Sequence, residues 1–149
     1  MKNLVLASTS TLHSSGYLHY LLPELKALFA DTDEIIFIPY ARPGGISHDA
    51  YTAKAAETFE SIGKKLIGLH TFDDPVSAIR SAQGIFTGGG NTFVLVDALH
   101  RKELMQPLRE RLLQSVPYLG TSAGSNICGP SMHTTNDMPI VYPPSFKTL

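Results

Sequence analysis

Gly120-Thr121-Ser122-Ala123-Gly124 places one serine in a G-x-S-x-G pattern. A serine that attacks a carbonyl has to stand on a sharp strand-to-helix turn, with its hydroxyl pointing out of the sheet. Small neighbours are required because strand and helix backbones approach closely there. The run Val116 to Leu119 before the pattern is apolar, and Ser125-Asn126 after it suits a helix start. The backbone N–H of Ala123 then points to where an oxyanion would form. The same residues also fit a turn of small residues with no chemistry.

A nucleophilic serine needs a base, an acid to orient that base, and a second oxyanion donor. Gly88-Gly89-Gly90 can supply the donor, because a substrate carbonyl can approach a backbone that has no side chains. A flexible turn and a phosphate cradle are the alternatives. The dinucleotide fingerprint needs a further glycine and a place after the first strand, and the phosphate loop needs G-K-[ST]. Asp137, in Thr134-Thr135-Asn136-Asp137, is either the orienting acid or a solvated Asx turn. Of the six histidines, His19, His70 and His100 suit structural positions, whereas His13, His48 and His133 lie near candidate rim loops or near Asp137. No pair has the H-x-x-x-H spacing of a zinc site, so no metal is expected. Cys128 reads as a small buried residue.

These residues need elements to hold them. Leu4–Ala7, Glu34–Tyr40, Lys65–His70, Gly84–Thr87 and the run before Ser122 read as strands. Helical spacing links Tyr17 to Phe29, with Pro23 inside the pattern, so that either the first turn is kinked or the helix starts near the proline. A second helix runs from Ser47 to Ile62 and is closed by Gly63, and a third starts at Asp74-Pro75. Further helical runs cover Phe93 to His100 and Leu104 to Leu113, the latter interrupted by Pro107. Strands that alternate with helices imply an α/β fold: a three-layer, open, mostly parallel sheet with helices on both faces and a nucleophile elbow after strand five. The loops at the carboxyl ends of its strands share one rim.

The chain is 149 residues long, 43% hydrophobic and 17% charged, with a net charge of −1. That suits a single α/β domain over 1–149 and gives no electrostatic footprint for nucleic acid or anionic membrane. No apolar run is long enough to span a bilayer. One cysteine leaves no internal disulfide, and a cytoplasmic location is the default expectation.

Four stretches together resemble peptidase E, the α-aspartyl dipeptidase family of serine peptidases. They are Ser8-Thr9-Ser10-Thr11-Leu12, Gly88-Gly89-Gly90-Asn91-Thr92-Phe93, Gly120 to Asn126, and Thr134-Thr135-Asn136-Asp137-Met138-Pro139-Ile140-Val141. The resemblance implies a glutamine amidotransferase-like fold, with serine where those enzymes carry cysteine. It implies hydrolysis of a small peptide substrate, a dipeptide with N-terminal aspartate, without metal or organic cofactor. Ser122 would be the nucleophile and Ala123 an oxyanion donor. Gly89 and Gly90 would form the second donor side, and Asn91 would line the substrate site. Asp137 would fall where an acid has been assigned to the charge relay, with a later glutamate of the family competing for that role.

The resemblance also carries departures. The family's catalytic histidine follows Asn-Asp-Met-Pro by some tens of residues, in a stretch this chain does not have. The competing glutamate and the arginine that would read the substrate aspartate lie further on. The expectation is a chain truncated at its C-terminal side, lacking about a third of the family's length. Thr121 replaces an aromatic residue often found before the serine. The alternatives are a non-catalytic member that folds or binds ligand without turnover, and an esterase or amidase using His133 or His13. Uncovered sheet edge would then favour a homo-oligomer or a second chain carrying the remainder.

Overall fold

The computed structural model describes residues 1–149. Five strands form one parallel sheet: β1 (Leu4–Ala7), β2 (Glu34–Ile38), β3 (Lys65–Gly68), β4 (Ile85–Thr87) and β5 (Tyr118–Thr121), in the order β1-β5-β4-β2-β3. Six α-helices connect or follow them: α1 (Leu22–Leu28), α2 (His48–Glu60), α3 (Pro75–Ser81), α4 (Thr92–Arg101), α5 (Met105–Leu113) and α6 (Ala123–Asn126). No helix is long and apolar enough to cross a membrane.

Strand residues alternate between two cores. Ile35 and Phe37 of β2 join Leu25 of α1 and Tyr51, Ala55 and Phe59 of α2 on one face of the sheet. Ile36 and Ile38 join Ile79 of α3, Leu95 and Leu99 of α4, and Leu108 and Leu112 of α5 on the other. This period-two alternation produces the three layers, and each fully buried Ile, Leu or Phe contributes roughly 1.5–3 kcal/mol. The expected fold class is the one observed.

Local signals set most boundaries. Ser47 caps α2 by accepting the Ala50 N–H at 3.1 Å, and Asp74 caps α3 by accepting the Ser77 N–H at 3.0 Å. Each such cap is worth about 1 kcal/mol. Gly63, at φ +74°, turns the chain out of α2.

Three expectations change. Pro107 does not interrupt α5. It lies in the first turn, where its missing N–H would have had no helical partner. The helical run expected from Tyr17 is shorter: α1 starts at Leu22, beside Pro23 as one of the two expected alternatives had it, after a 3-10 turn at His19–Leu21. Strand β3 stops at Gly68, where a 3-10 turn over Leu69–Thr71 takes over.

Candidate active site

Ser122 follows β5 directly and precedes α6. Its backbone has φ 50° and ψ −112°, far from the ordinary wells of an L-residue. The neighbours hold that geometry. The Ser122 N–H donates to the Ala7 carbonyl of β1 at 2.9 Å, and its own carbonyl accepts from Ser125 and Asn126 at 2.9 and 3.0 Å. The Ser125 hydroxyl lies 2.7 Å from both the Ala7 and Gly120 carbonyls. The Tyr118 hydroxyl donates to the Gly124 carbonyl at 2.8 Å. Burial pushes the Tyr118 phenol well above its usual pKa, so it stays a neutral donor.

The motif glycines are a packing requirement. A Cβ on Gly124 would sit 2.2 Å from the Thr87 carbonyl oxygen of β4. A Cβ on Gly120 would sit 2.4 Å from the Gly124 carbonyl oxygen. Helix α6 therefore lies directly on the ends of β4 and β5, which turns the serine outward.

The triple glycine forms the wall beside Ser122. A Cβ on Gly89 would lie 2.9 Å from the Ser122 Cβ and 3.6 Å from its Oγ. Gly90 takes φ +150°, and a Cβ there would meet the Ala41 carbonyl oxygen at 2.2 Å. The Gly89 amide is engaged from behind. The buried Tyr51 hydroxyl accepts the Gly89 N–H at 2.9 Å and donates to the Gly89 carbonyl at 3.2 Å. On this side the remaining backbone donor is the Gly90 N–H. Across from it stands the N–H of Ala123, unpaired as the first helical amide.

Asp137 and Asn91 form a second cluster. Asp137 Oδ2 accepts the Thr92 N–H at 2.7 Å and the Thr92 hydroxyl at 2.5 Å. Asn91 caps α4 by accepting the Val94 N–H at 3.1 Å, while its Nδ2 donates to the Met138 carbonyl at 2.8 Å. The Asn126 amide donates to the Thr92 hydroxyl at 3.0 Å. A carboxylate at a helix N-terminus is favoured by the helix dipole. The segment 135–138 is thereby latched to the start of α4, the helix that opens immediately after the glycine wall.

The structure brings Ser122, Ala123, Gly89 and Gly90 together, and it brings Asn91 and Asp137 together. It pairs neither Ser122 nor Asp137 with a histidine. His133 bonds Ser131 and rests against the Phe146 ring, with centroids 4.9 Å apart. His70 bonds Asp49 at 2.7 Å, and His100 bonds the Lys147 carbonyl at 2.9 Å. His48 lies against His70 and Tyr40. Cys128 faces the Gly124 carbonyl from inside α6's following turn, and burial pushes its thiol up to about 11.

Sequence reasoning missed Tyr51, Thr92 and Ser125. Tyr51 reads as one more apolar position of α2. The usable signal is its hydroxyl, since a buried tyrosine has to find a polar partner.

Comparison with known proteins places the chain in a family. The sequence pattern of "Peptidase family S51" matches residues 4–149. A Drosophila melanogaster protein named a probable alpha-aspartyl dipeptidase is 47% identical, covering 99% of this chain and 62% of its own length. A Shewanella oneidensis protein named Peptidase E is 44% identical, over 99% of this chain and 62% of its own. The chain thus spans about 62% of the length of these curated relatives. A crystal structure of a candidate peptidase E from Listeria monocytogenes EGD-e superposes with a TM-score of 0.78 at 23% identity, covering 99% of this chain and 74% of that one, which shows a shared fold. Placed beside the strained serine turn and its glycine wall, the matched pattern settles the assignment: the chain belongs to peptidase family S51.

Proposed function

We propose that this chain carries the nucleophile of a serine-type dipeptidase that hydrolyses Asp-Xaa dipeptides through an acyl-enzyme on Ser122. The observation that carries the reading is Ser122, at φ 50°, on a turn facing the Gly89–Gly90 wall. The names of the curated relatives supply the substrate class.

In this reading Ser122 Oγ attacks the aspartyl carbonyl carbon and loses its proton to a base. The oxyanion is received by the N–H groups of Ala123 and Gly90, while Gly89, held by Tyr51, fixes the wall. The peptide C–N bond breaks, the amine leaves with the proton, and water releases aspartate from the ester. Asn91 and Asp137 hold the 135–138 segment at the edge of the site. In this reading the base is supplied from outside these 149 residues, as the family resemblance implies; within them His70, His100 and His133 are bonded to other groups and no histidine is bonded to Ser122.

The same histidine pattern favours a second reading, in which the isolated chain binds a dipeptide without turning it over. Losing a triad member costs several orders of magnitude in rate. Met138, Ile140 and Tyr142 are 72%, 50% and 80% exposed beside the latch. That supports an additional protein surface here, from a second copy or a second chain. The single free thiol, Cys128, fits a reducing cytoplasm.

The test is intact mass followed by an assay with Asp-Leu on the same sample. A single species of 16.2 kDa with no hydrolysis is expected for the chain alone. A longer or two-piece species whose activity Ser122→Ala abolishes would establish the dipeptidase. Hydrolysis by the 16.2 kDa species alone would overturn the external base and redirect attention to His133 and His13.

A further inference from the structure

We infer that Arg42 is a carboxylate-binding residue of this site and receives one of the two carboxylates of an acidic dipeptide. The inference rests on the dipeptidase reading of Ser122 and extends it to a residue that neither the serine motif nor the latch identifies.

Arg42 lies in the loop after β2, on the same rim of the sheet as Ser122. The loop is bound to the glycine wall through its backbone. The Ala41 carbonyl accepts the Asn91 N–H at 2.7 Å, and Gly90 packs so closely on Ala41 that no side chain fits between them. The side chain is bound to the wall from the other direction. The guanidinium lies 5.1 Å from the centroid of the Tyr51 ring, and the hydroxyl of that ring holds both polar atoms of Gly89. One tyrosine ring therefore separates the guanidinium from Gly89, and Gly89 touches Ser122.

The charge itself is free. The ion pairs of the structure are Lys65–Glu34, His70–Asp49 and Arg101–Asp97, and none involves Arg42. Stacking on an aromatic face orients a guanidinium while leaving its N–H edge open, and that edge matches a carboxylate in bidentate fashion. A dipeptide attacked by Ser122 carries two such groups close to the reacting carbonyl. Its terminal carboxylate lies about one Cα step, ~3.8 Å, beyond the residue that is attacked, and its aspartyl side chain lies equally near on the other side. Lys54 gives a natural control. It is a second cation over an aromatic ring, on helix α2, 5.5 Å from the Tyr17 ring centroid and with no bond to the glycine wall.

The experiment is calorimetric titration of the protein carrying Ser122→Ala, so that nothing is consumed. The probes are Asp-Leu, Asp-Leu amide and Asn-Leu. Arg42→Ala, Arg42→Lys and Lys54→Ala are compared in that background, with thermal midpoints confirming that each is folded. We expect Arg42→Ala to weaken Asp-Leu about tenfold or more, Arg42→Lys to weaken it less, and Lys54→Ala to leave it unchanged. Loss of the Arg42 effect with Asp-Leu amide would assign the terminal carboxylate, and loss with Asn-Leu the aspartyl side chain. Equal affinity of Arg42→Ala and its parent for all three probes would overturn the proposal and leave the dipeptidase reading standing. No binding of Asp-Leu by the parent would overturn both.

Discussion

Asp137 and Thr92 are joined twice: one carboxylate oxygen accepts both the Thr92 backbone N–H at 2.7 Å and the Thr92 hydroxyl at 2.5 Å. That pair of hydrogen bonds from the first residue of α4 gives Asp137 a mechanical role whatever its place in a charge relay. Asp137→Ala should lower stability by about 1–2 kcal/mol in urea unfolding, the range of a lost helix cap. Asp137→Asn, which keeps an acceptor, should lower it less. An unfolding midpoint unchanged by Asp137→Ala would show that the latch carries no stability.

Gly124 tests the packing of the elbow. Its missing Cβ would fall 2.2 Å from a backbone oxygen of β4, which cannot give way like a flexible side chain. Gly124→Ala should cost about 3 kcal/mol or more in chemical unfolding. A loss under about 1 kcal/mol would mean that α6 can move off the sheet, and the serine turn with it.

Ser122 tests the strain directly. A non-glycine residue in such a conformation stores about 1–3 kcal/mol. Glycine relieves that strain but gains freedom in the unfolded chain, which offsets roughly 0.4–1 kcal/mol. Ser122→Gly should therefore unfold at higher urea than Ser122→Ala, by about 1 kcal/mol. Equal midpoints would show that no strain is stored at the serine.

His48 sets a pH dependence of stability. Burial first, then the neighbouring His70 and Lys102, hold its imidazole below the ordinary value of 6.5, with Asp49 acting weakly in the opposite sense. The unfolded chain then takes up a proton at higher pH than the folded one. The stability is fully present above 6.5 and is lost as pH falls toward the folded value. His48→Gln should flatten that decline in thermal midpoint between pH 7.5 and 5.5. A wild-type decline no steeper than that of His48→Gln would rule His48 out as its source.

The apolar runs at Leu4–Ala7 and Ile35–Ile38, together with the caps at Ser47, Asp74 and Gly63, made the alternating strands and helices readable. Those signals are local and have one physical meaning each. The serine turn was equally readable, because its glycines answer a backbone clash that spacing alone expresses. Contacts between distant stretches were not readable. Nothing near Tyr51 announces that its hydroxyl will meet Gly89, and nothing near Asp137 announces Thr92. Pro107 was misread for a related reason: the same residue breaks a helix in its middle and is harmless in its first turn, and only the observed start at Met105 decides between them.

The serine turn hangs on β1. The Ala7 carbonyl receives both the Ser122 N–H and the Ser125 hydroxyl, the latter from 118 residues away. A contact that spans so much chain closes slowly, since the whole intervening loop has to be ordered first. On the ribosome, synthesis advances about 5–20 residues per second, so β1 waits for many seconds before its partner emerges. The Ser122 turn therefore takes its strained shape only after β1 and β5 have both been made and paired, and a nascent chain that has not yet reached Ser125 cannot hold it.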